Sequence, residues 1–96
     1  MRRIVRSEQS KADILEIWLY VATDNERAAD KLIDRINQAI GMLAGFPGAG
    51  PARDHWGKGV RSYPVGNYVI IYRAYERTIH IARILHGARD IPTILE

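Results

Sequence analysis

The stretch YVIIYRAYERTIHIARILHGARD (68–90) contains two apolar segments that the polar pair Glu76 and Arg77 separates. Both segments are rich in β-branched and aromatic residues, which favour β-strands. A connection of only two residues predicts a tight hairpin, in which Tyr75 lies opposite Thr78. The stretch therefore predicts an antiparallel strand pair at the centre of a sheet.

Alternation along this hairpin sorts its side chains onto two faces. We expect the first face to pack on helices; it carries Tyr68, Ile70, Tyr72, Ala74, Ile79, Ile81, Arg83 and Leu85. The second face has an apolar centre and a polar rim; it carries Val69, Ile71, Ala82 and Ile84, with Arg73, Tyr75, His80 and His86 around them. Such a patch indicates a partner-binding surface, and the alternative is that the N-terminal strand or a long loop covers it. A slip of one residue would exchange the two faces.

Outside the hairpin, sequence patterns predict two more strands, two helices and a long loop. In chain order these are the strand RRIVR (2–6), a helix from Ser7 to about Ala22, a helix from Glu26 to Ala44, the loop GFPGAGPARDHWGKG (45–59) and the strand VRSYPV (60–65). The short link TDNE makes the helices an antiparallel pair. The order β-α-α-β-β-β predicts one α+β domain over 1–96, with the helical hairpin on one face of a mostly antiparallel, twisted sheet and a helical turn after Gly87.

Composition and charge limit the class of protein. The chain has no cysteine, which excludes disulfides and thiolate metal sites, and it has neither a signal-peptide pattern nor a membrane-length apolar run. A cytoplasmic location is expected. The net charge is +3, and arginine outnumbers lysine eleven to three. Because arginine pairs in a bidentate manner with carboxylate or phosphate, we expect an acidic protein or a nucleic acid as partner.

Few groups in the chain suit catalysis. His55, His80 and His86 lack metal-ligand spacing with carboxylates, so no metal and no cofactor are expected. A metal-independent ribonuclease needs a base, an acid and cations around the phosphate, and His86 with Arg61 and Arg73 is the set that could supply them.

A guanidinium on the core-facing side of the sheet must be paired. Asp13 and Glu16 on the first helix, and Asp90 after the last strand, are the candidate partners of Arg83. We therefore interpret Asp13, Arg83, Arg89 and Asp90 as a latch that joins the last strand, the C-terminal turn and the helical hairpin.

Two stretches resemble the ParE branch of the ParE/RelE toxin superfamily. They are SEQSKADILEIWLY (7–20) and RSYPVGNYVIIYRAYERTIHIARILHGARD (61–90), with a Gly/Pro loop before the second. The resemblance covers nearly the whole chain. It implies the toxin of a bacterial type II toxin–antitoxin module, a plasmid-stabilisation protein that is held inactive by a ParD-like antitoxin. It also implies that the toxin inhibits DNA gyrase by protein–protein contact. On this resemblance the protein is expected to bind neither a membrane nor a specific DNA sequence.

The resemblance leaves two alternatives and supplies no catalytic residues. RelE-type relatives cut mRNA on the ribosome, and His86 is the residue that keeps this alternative open; a non-toxic member that acts only in the antitoxin complex is the other. A binding toxin is favoured over an enzyme, because lysine is scarce and no acid–base pair is evident. Our candidate antitoxin contacts are Trp18 on the first helix and the second sheet face, namely Val69, Ile71, Arg73, Tyr75, His80, Ala82, Ile84 and His86.

Overall fold

The computed structural model describes residues 1–95 and has the predicted order of elements. They are β1 (Arg3–Arg6), α1 (Glu8–Ala22), α2 (Glu26–Gly45), β2 (Arg61–Val65), β3 (Tyr68–Ala74), β4 (Thr78–His86) and α3 (Ile91–Leu95), with short 3₁₀ turns at Pro47–Ala49 and Asp54–Trp56. The sheet order is β1-β4-β3-β2, in which β1 runs parallel to β4 and the other pairs are antiparallel. The predicted α+β class with a mostly antiparallel sheet is confirmed.

Each long helix begins at a polar residue that caps it. The Ser7 hydroxyl accepts a hydrogen bond from the Ser10 N–H and donates one to the Ala82 carbonyl at 2.6 Å. The Asn25 side chain accepts one from the Ala28 N–H. Each cap satisfies a backbone N–H that has no partner within the helix. The caps therefore stabilise the starts of α1 and α2. Ser7 also fixes the start of α1 against β4.

The main core lies between the helical hairpin and one face of the sheet. α2 contributes a continuous apolar stripe, as its 3.6-residue periodicity predicts. The buried residues of this core are Ile17, Ile36, Ile40, Leu43, Ala44, Val65, Ile70, Tyr72, Ile79, Ile81 and Ile84. α1 contributes less, and Leu15 and Leu19 on its outer side are more than half exposed.

A β-bulge at Ala82 changes the predicted faces of β4. The expected register holds from the turn to the pair Tyr72–Ile81, but the next pair is Ile71–Arg83, so Ala82 has no partner on β3. One extra residue reverses the alternation beyond it. Ile84 therefore packs in the main core and Leu85 faces the other way. The prediction was wrong for both residues.

The opposite face of the sheet carries a second, smaller core. Its buried residues are Val60, Ile71, Leu85 and Ile91, and its half-buried ones are Trp56, Val69, Ala82, Ile94 and Leu95. Trp56 comes from the long loop, and Ile91, Ile94 and Leu95 come from α3. The prediction of an open apolar face is therefore wrong, and the alternative that the long loop covers it is correct in part, because α3 supplies the remaining cover.

Hydrogen bonds from buried or half-buried side chains hold the long loop in place. The hydroxyl of Tyr72 donates to the Pro47 carbonyl at 2.6 Å and accepts from the Gly50 N–H at 3.1 Å. Gly50 lies so close to the Ser62 carbonyl and this hydroxyl that any larger residue would collide with them. Burial raises the pKa of the Tyr72 hydroxyl above its usual value of 10. The loop is thus part of the packed structure.

Candidate partner-binding surface

The expected latch on Arg83 is present and uses Asp13. The guanidinium donates to the two carboxylate oxygens, with Nε to Oδ2 at 2.8 Å and Nη2 to Oδ1 at 2.9 Å. Oδ2 also accepts the backbone N–H of Ile84 at 3.0 Å. The hydrogen bond to Asp13 raises the pKa of Arg83 above its usual value. This pair joins α1 to the distal half of β4.

Arg89 and Asp90 take no part in this pair. The Asp90 carboxylate, just before α3, accepts a hydrogen bond from the hydroxyl of Thr93 within that helix at 2.9 Å. Arg89 lies at the rim of a cavity described below. The structure therefore divides the four residues that we grouped as one latch into an ion pair, a local turn and a rim residue.

The predicted antitoxin contacts do not form one surface. Ile71 is buried under α3 and Ile84 is buried on the helical side, while Val69 and Ala82 lie half-buried in the second core. Trp18 donates its indole N–H to Asp30 across the helical hairpin at 2.8 Å.

The remaining members of that set lie at opposite ends of the sheet. Tyr75 and His80 are exposed side by side at the β3–β4 turn, with ring centroids 4.8 Å apart. Arg73, beside them, is half-buried and donates to the Lys58 carbonyl. His86 is exposed at the other end, against Tyr68. The predicted face thus reduces to two separate exposed groups.

The set proposed for RNA cleavage is not brought together either. His86 pairs with Tyr68 across the hairpin, and Arg73 lies five positions further along β3, or roughly 16 Å at about 3.3 Å per residue. Arg61 on β2 pairs with Tyr72, the neighbour of Arg73 on β3, and donates to the Gly50 carbonyl at 2.8 Å. A general base and its phosphate-binding cations need to converge within hydrogen-bond reach of one substrate, and these three residues do not.

A cavity of about 630 Å³ opens between the helical hairpin and the distal end of β3 and β4. Apolar residues of both helices and of β4 line it; among them are Ile17, Val21, Leu32 and Ile84. The other lining residues include Tyr20, Tyr68, Glu16, Arg35, Asn67, His86 and Arg89. The residue pattern had indicated His86 as a partner contact and Arg89 as part of a structural latch, and it had not indicated Arg35 or the two tyrosines. The volume lies within the range of ligand pockets in proteins, about 300–1,000 Å³.

Most arginines of the described chain brace it internally. Six of the eleven donate to backbone or side-chain acceptors; they are Arg2, Arg6, Arg53, Arg61, Arg73 and Arg83. Among residues 1–95, five make no side-chain hydrogen bond or ion pair, namely Arg3, Arg27, Arg35, Arg77 and Arg89. Arg35 and Arg89 line the same cavity, so two guanidinium groups that make no internal hydrogen bond lie around it.

The described residues show no feature of two other kinds of site. Within residues 1–95 no group of three or more histidine, cysteine, aspartate or glutamate side chains could hold a metal ion. No helix in this range is long and apolar enough to cross a bilayer.

Solved structures of toxin–antitoxin proteins share this fold. A chain of the chromosomal ParDE system of P. aeruginosa superposes with a TM-score of 0.75 at 22% identity, covering 90% of this chain and 96% of that one. A chain of the E. coli DinJ–YafQ complex superposes with a TM-score of 0.57 at 15% identity, covering 92% and 96%. At these identities the likeness establishes the fold.

The α+β fold and the order of its elements are thus those of these toxin–antitoxin chains. Residues 4–91 match the family described as ParE toxin of the type II toxin–antitoxin system parDE, and the chain belongs to that family. Toxin ParE1 of Caulobacter vibrioides is 34% identical over 86 residues, which is 88% of each chain. Toxin ParE3 of the same organism is 26% identical over 92 residues, covering 95% of this chain and 92% of the relative. The resemblance noted in the sequence is confirmed, including the branch.

Proposed function

We propose that this ParE-family toxin inhibits DNA gyrase by protein–protein contact and that a ParD-like antitoxin neutralises it. The observation that carries the proposal is the dispersal of the nuclease set, with His86 at one end of the sheet and Arg61 and Arg73 near the other. Because those arginines donate to loop carbonyls, they would have to break internal bonds to reach a phosphate. Family membership and the toxin–antitoxin relatives support the antitoxin as partner.

Exposed side chains on the toxin surface are suited to inhibit gyrase by protein–protein contact. The exposed pair Tyr75 and His80 at the β3–β4 turn offers an aromatic and a hydrogen-bonding side chain. Tyrosine and arginine are the residue types that dominate binding energy at protein interfaces. We propose this end of the sheet as one contact region and the cavity as another.

The test is a gyrase supercoiling and DNA-cleavage assay with the purified toxin. Loss of supercoiling or accumulation of cleaved DNA, reversed by a ParD-like antitoxin, is the expected result. If expression of the toxin arrests cell growth but the purified toxin leaves gyrase unaffected, gyrase is refuted as the target.

A second assay separates the gyrase proposal from mRNA cleavage. Ribosome-bound mRNA is incubated with the toxin and with the His86→Ala variant. We expect intact mRNA with both proteins. Cleavage that the variant abolishes would establish the nuclease in place of the gyrase inhibitor.

A further inference from the structure

Charge is divided between the two layers of the molecule. The helical layer, residues 8–45, carries seven acidic and four basic side chains. The four strands, with the β2–β3 and β3–β4 turns, carry six arginines and a single acidic residue, Glu76. The sheet layer is therefore the positive side of the protein, and an anionic partner is drawn toward it.

Three arginines meet where β1 begins beside the β3–β4 turn. Arg2 donates from Nε to the Tyr75 carbonyl at 2.7 Å, and the Arg3 N–H donates to the Arg77 carbonyl at 3.0 Å. Arg3 and Arg77 are exposed, and Arg2 is half-buried. Two backbone acceptors thus hold these residues, which are far apart in sequence, at one corner of the sheet. We call Arg2, Arg3 and Arg77 the arginine cluster.

The arginine cluster has more positive charge than its surroundings balance. None of its guanidinium groups forms an ion pair with a carboxylate among residues 1–95. Glu76, in the same turn, is the acidic neighbour in sequence, and it leaves the corner with an excess of positive charge. Like charges held together repel each other, and a ligand with several anionic groups would relieve that repulsion through charge-assisted hydrogen bonds.

A row of hydrogen-bonding side chains crosses the sheet at this corner. Tyr75 pairs with Thr78 across the turn, and Thr78 pairs with Arg3 on β1. The next residue of β4, Ile79, is buried in the main core, so alternation places the row on the opposite face of the sheet. Arg3 and Tyr75 are two strands apart, or about 10 Å at about 4.8 Å per strand. Arginine, threonine and tyrosine side chains all donate to phosphate oxygens in protein–DNA complexes.

We propose that this corner binds the phosphate backbone of duplex DNA without regard to base sequence, through the arginine cluster and the hydroxyl of Tyr75. An acidic peptide is the other anion that arginines accept, but protein interfaces are built around a buried apolar centre. The row here is polar, as interfaces with DNA are. The choice of DNA as the nucleic acid rests on the proposed function, because gyrase acts on DNA.

The test measures binding of the purified toxin, without gyrase, to a short fluorescently labelled DNA duplex of arbitrary sequence. Fluorescence anisotropy gives the dissociation constant over a series of salt concentrations. Arg3→Gln/Arg77→Gln changes the arginine cluster, and Arg27→Gln/Arg35→Gln removes the same charge from exposed positions on α2. Arg3 and Arg77 contact each other through main-chain atoms, so the substitutions leave that hydrogen bond in place. Circular dichroism checks the fold of both variants.

We expect the wild type to bind the duplex with a dissociation constant of about 10⁻⁴–10⁻⁶ M at physiological salt, the range of non-specific contacts. Each phosphate contact that is lost should reduce the slope of log K against log salt by about 0.9, so the cluster variant should lose about 1.8. Its affinity at low salt should fall at least about tenfold, whereas the control variant should stay within about threefold of wild type and keep its slope.

A second pair of variants tests the row without a change in charge. Tyr75→Phe removes the hydroxyl and should weaken binding about tenfold, the value of one hydrogen bond to a charged group. Tyr20→Phe, on α1 and 78% exposed, is the control and should leave the affinity unchanged.

Each contrary result has its own meaning. Equal losses in the two double variants would show that net charge alone attracts DNA, and would overturn the site. A wild type that does not bind the duplex at low salt would overturn it as well, and tighter binding to single-stranded RNA than to the duplex would overturn DNA as the ligand. The supercoiling assay tests the proposed function separately. A toxin that binds DNA through the arginine cluster but leaves gyrase unaffected would refute the gyrase proposal alone, and a toxin that inhibits gyrase without binding DNA would refute the DNA site alone.

Discussion

Asp13→Ala is expected to lower the free energy of unfolding by about 3–5 kcal/mol, the cost of removing one partner from a buried ion pair. Asp13 is 5% exposed, and its carboxylate accepts three hydrogen bonds, two from Arg83 and one from the Ile84 N–H. Alanine would leave a largely buried cation without its counter-charge and a backbone donor without an acceptor. Small domains are stable by about 5–15 kcal/mol, so this loss is a large fraction of the total.

Urea unfolding at neutral pH measures the effect, with Glu16→Ala as the control. Glu16 lies one turn further along α1, is exposed and makes no hydrogen bond to Arg83 within the described residues, so we expect a change within about 0.5 kcal/mol. The double variant Asp13→Ala/Arg83→Met should recover part of the loss, with a coupling energy of about 1–3 kcal/mol. A cost below about 1 kcal/mol for Asp13→Ala, or strictly additive effects, would refute the reasoning.

Three further substitutions test the packing of the loop and of α3. Tyr72→Phe removes both hydrogen bonds of the buried hydroxyl and should cost about 1–3 kcal/mol in urea unfolding. Because burial raises the pKa of Tyr72 in the folded state, its contribution is complete below pH 10 and is lost as the pH rises through the folded pKa, so the two stabilities should converge in alkali; a constant difference would contradict this. Gly50→Ala should destabilise by at least about 1 kcal/mol through collision, whereas Gly48→Ala, in open space, should be nearly neutral; equal melting temperatures would argue against the close approach. Ile91→Ala should cost about 2–3 kcal/mol and increase binding of a hydrophobic dye, because it opens the second core; unchanged dye binding would show that α3 does not cover it.

The hairpin shows how far periodicity determines the fold. Its turn and the first four strand pairs follow from a two-residue connection and alternating side chains, both of which the sequence displays. The bulge at Ala82 cannot be predicted in this way, because alanine has no special backbone preference. Contacts between residues that are distant in sequence determine where the bulge forms. The favourable burial of Ile84 against the helices and the pairing of Arg83 with Asp13 are contacts of this kind.

The candidate site was less predictable than the fold. His86 and Arg89 lie close together in sequence and drew attention as polar residues at a strand end. Arg35 belongs to the solvent-facing side of α2, and nothing in the sequence places it near residues some fifty positions later. Tyr20 likewise resembles any exposed aromatic residue until the sheet and the hairpin are assembled around the cavity.

The Asp13 carboxylate also has a consequence for self-association. β1 pairs with β4 only as far as Ile81, so the next part of β4 lacks a neighbouring strand on that side. An unpaired strand edge is a template for another chain, and proteins usually protect it with charge, bulges or cover. Here Ser7 takes the Ala82 carbonyl and Asp13 takes the Ile84 N–H, so side chains of the α1 segment occupy the groups that a strand from a second molecule would need. A toxin released from its antitoxin is thereby protected at this edge from growing into an intermolecular sheet.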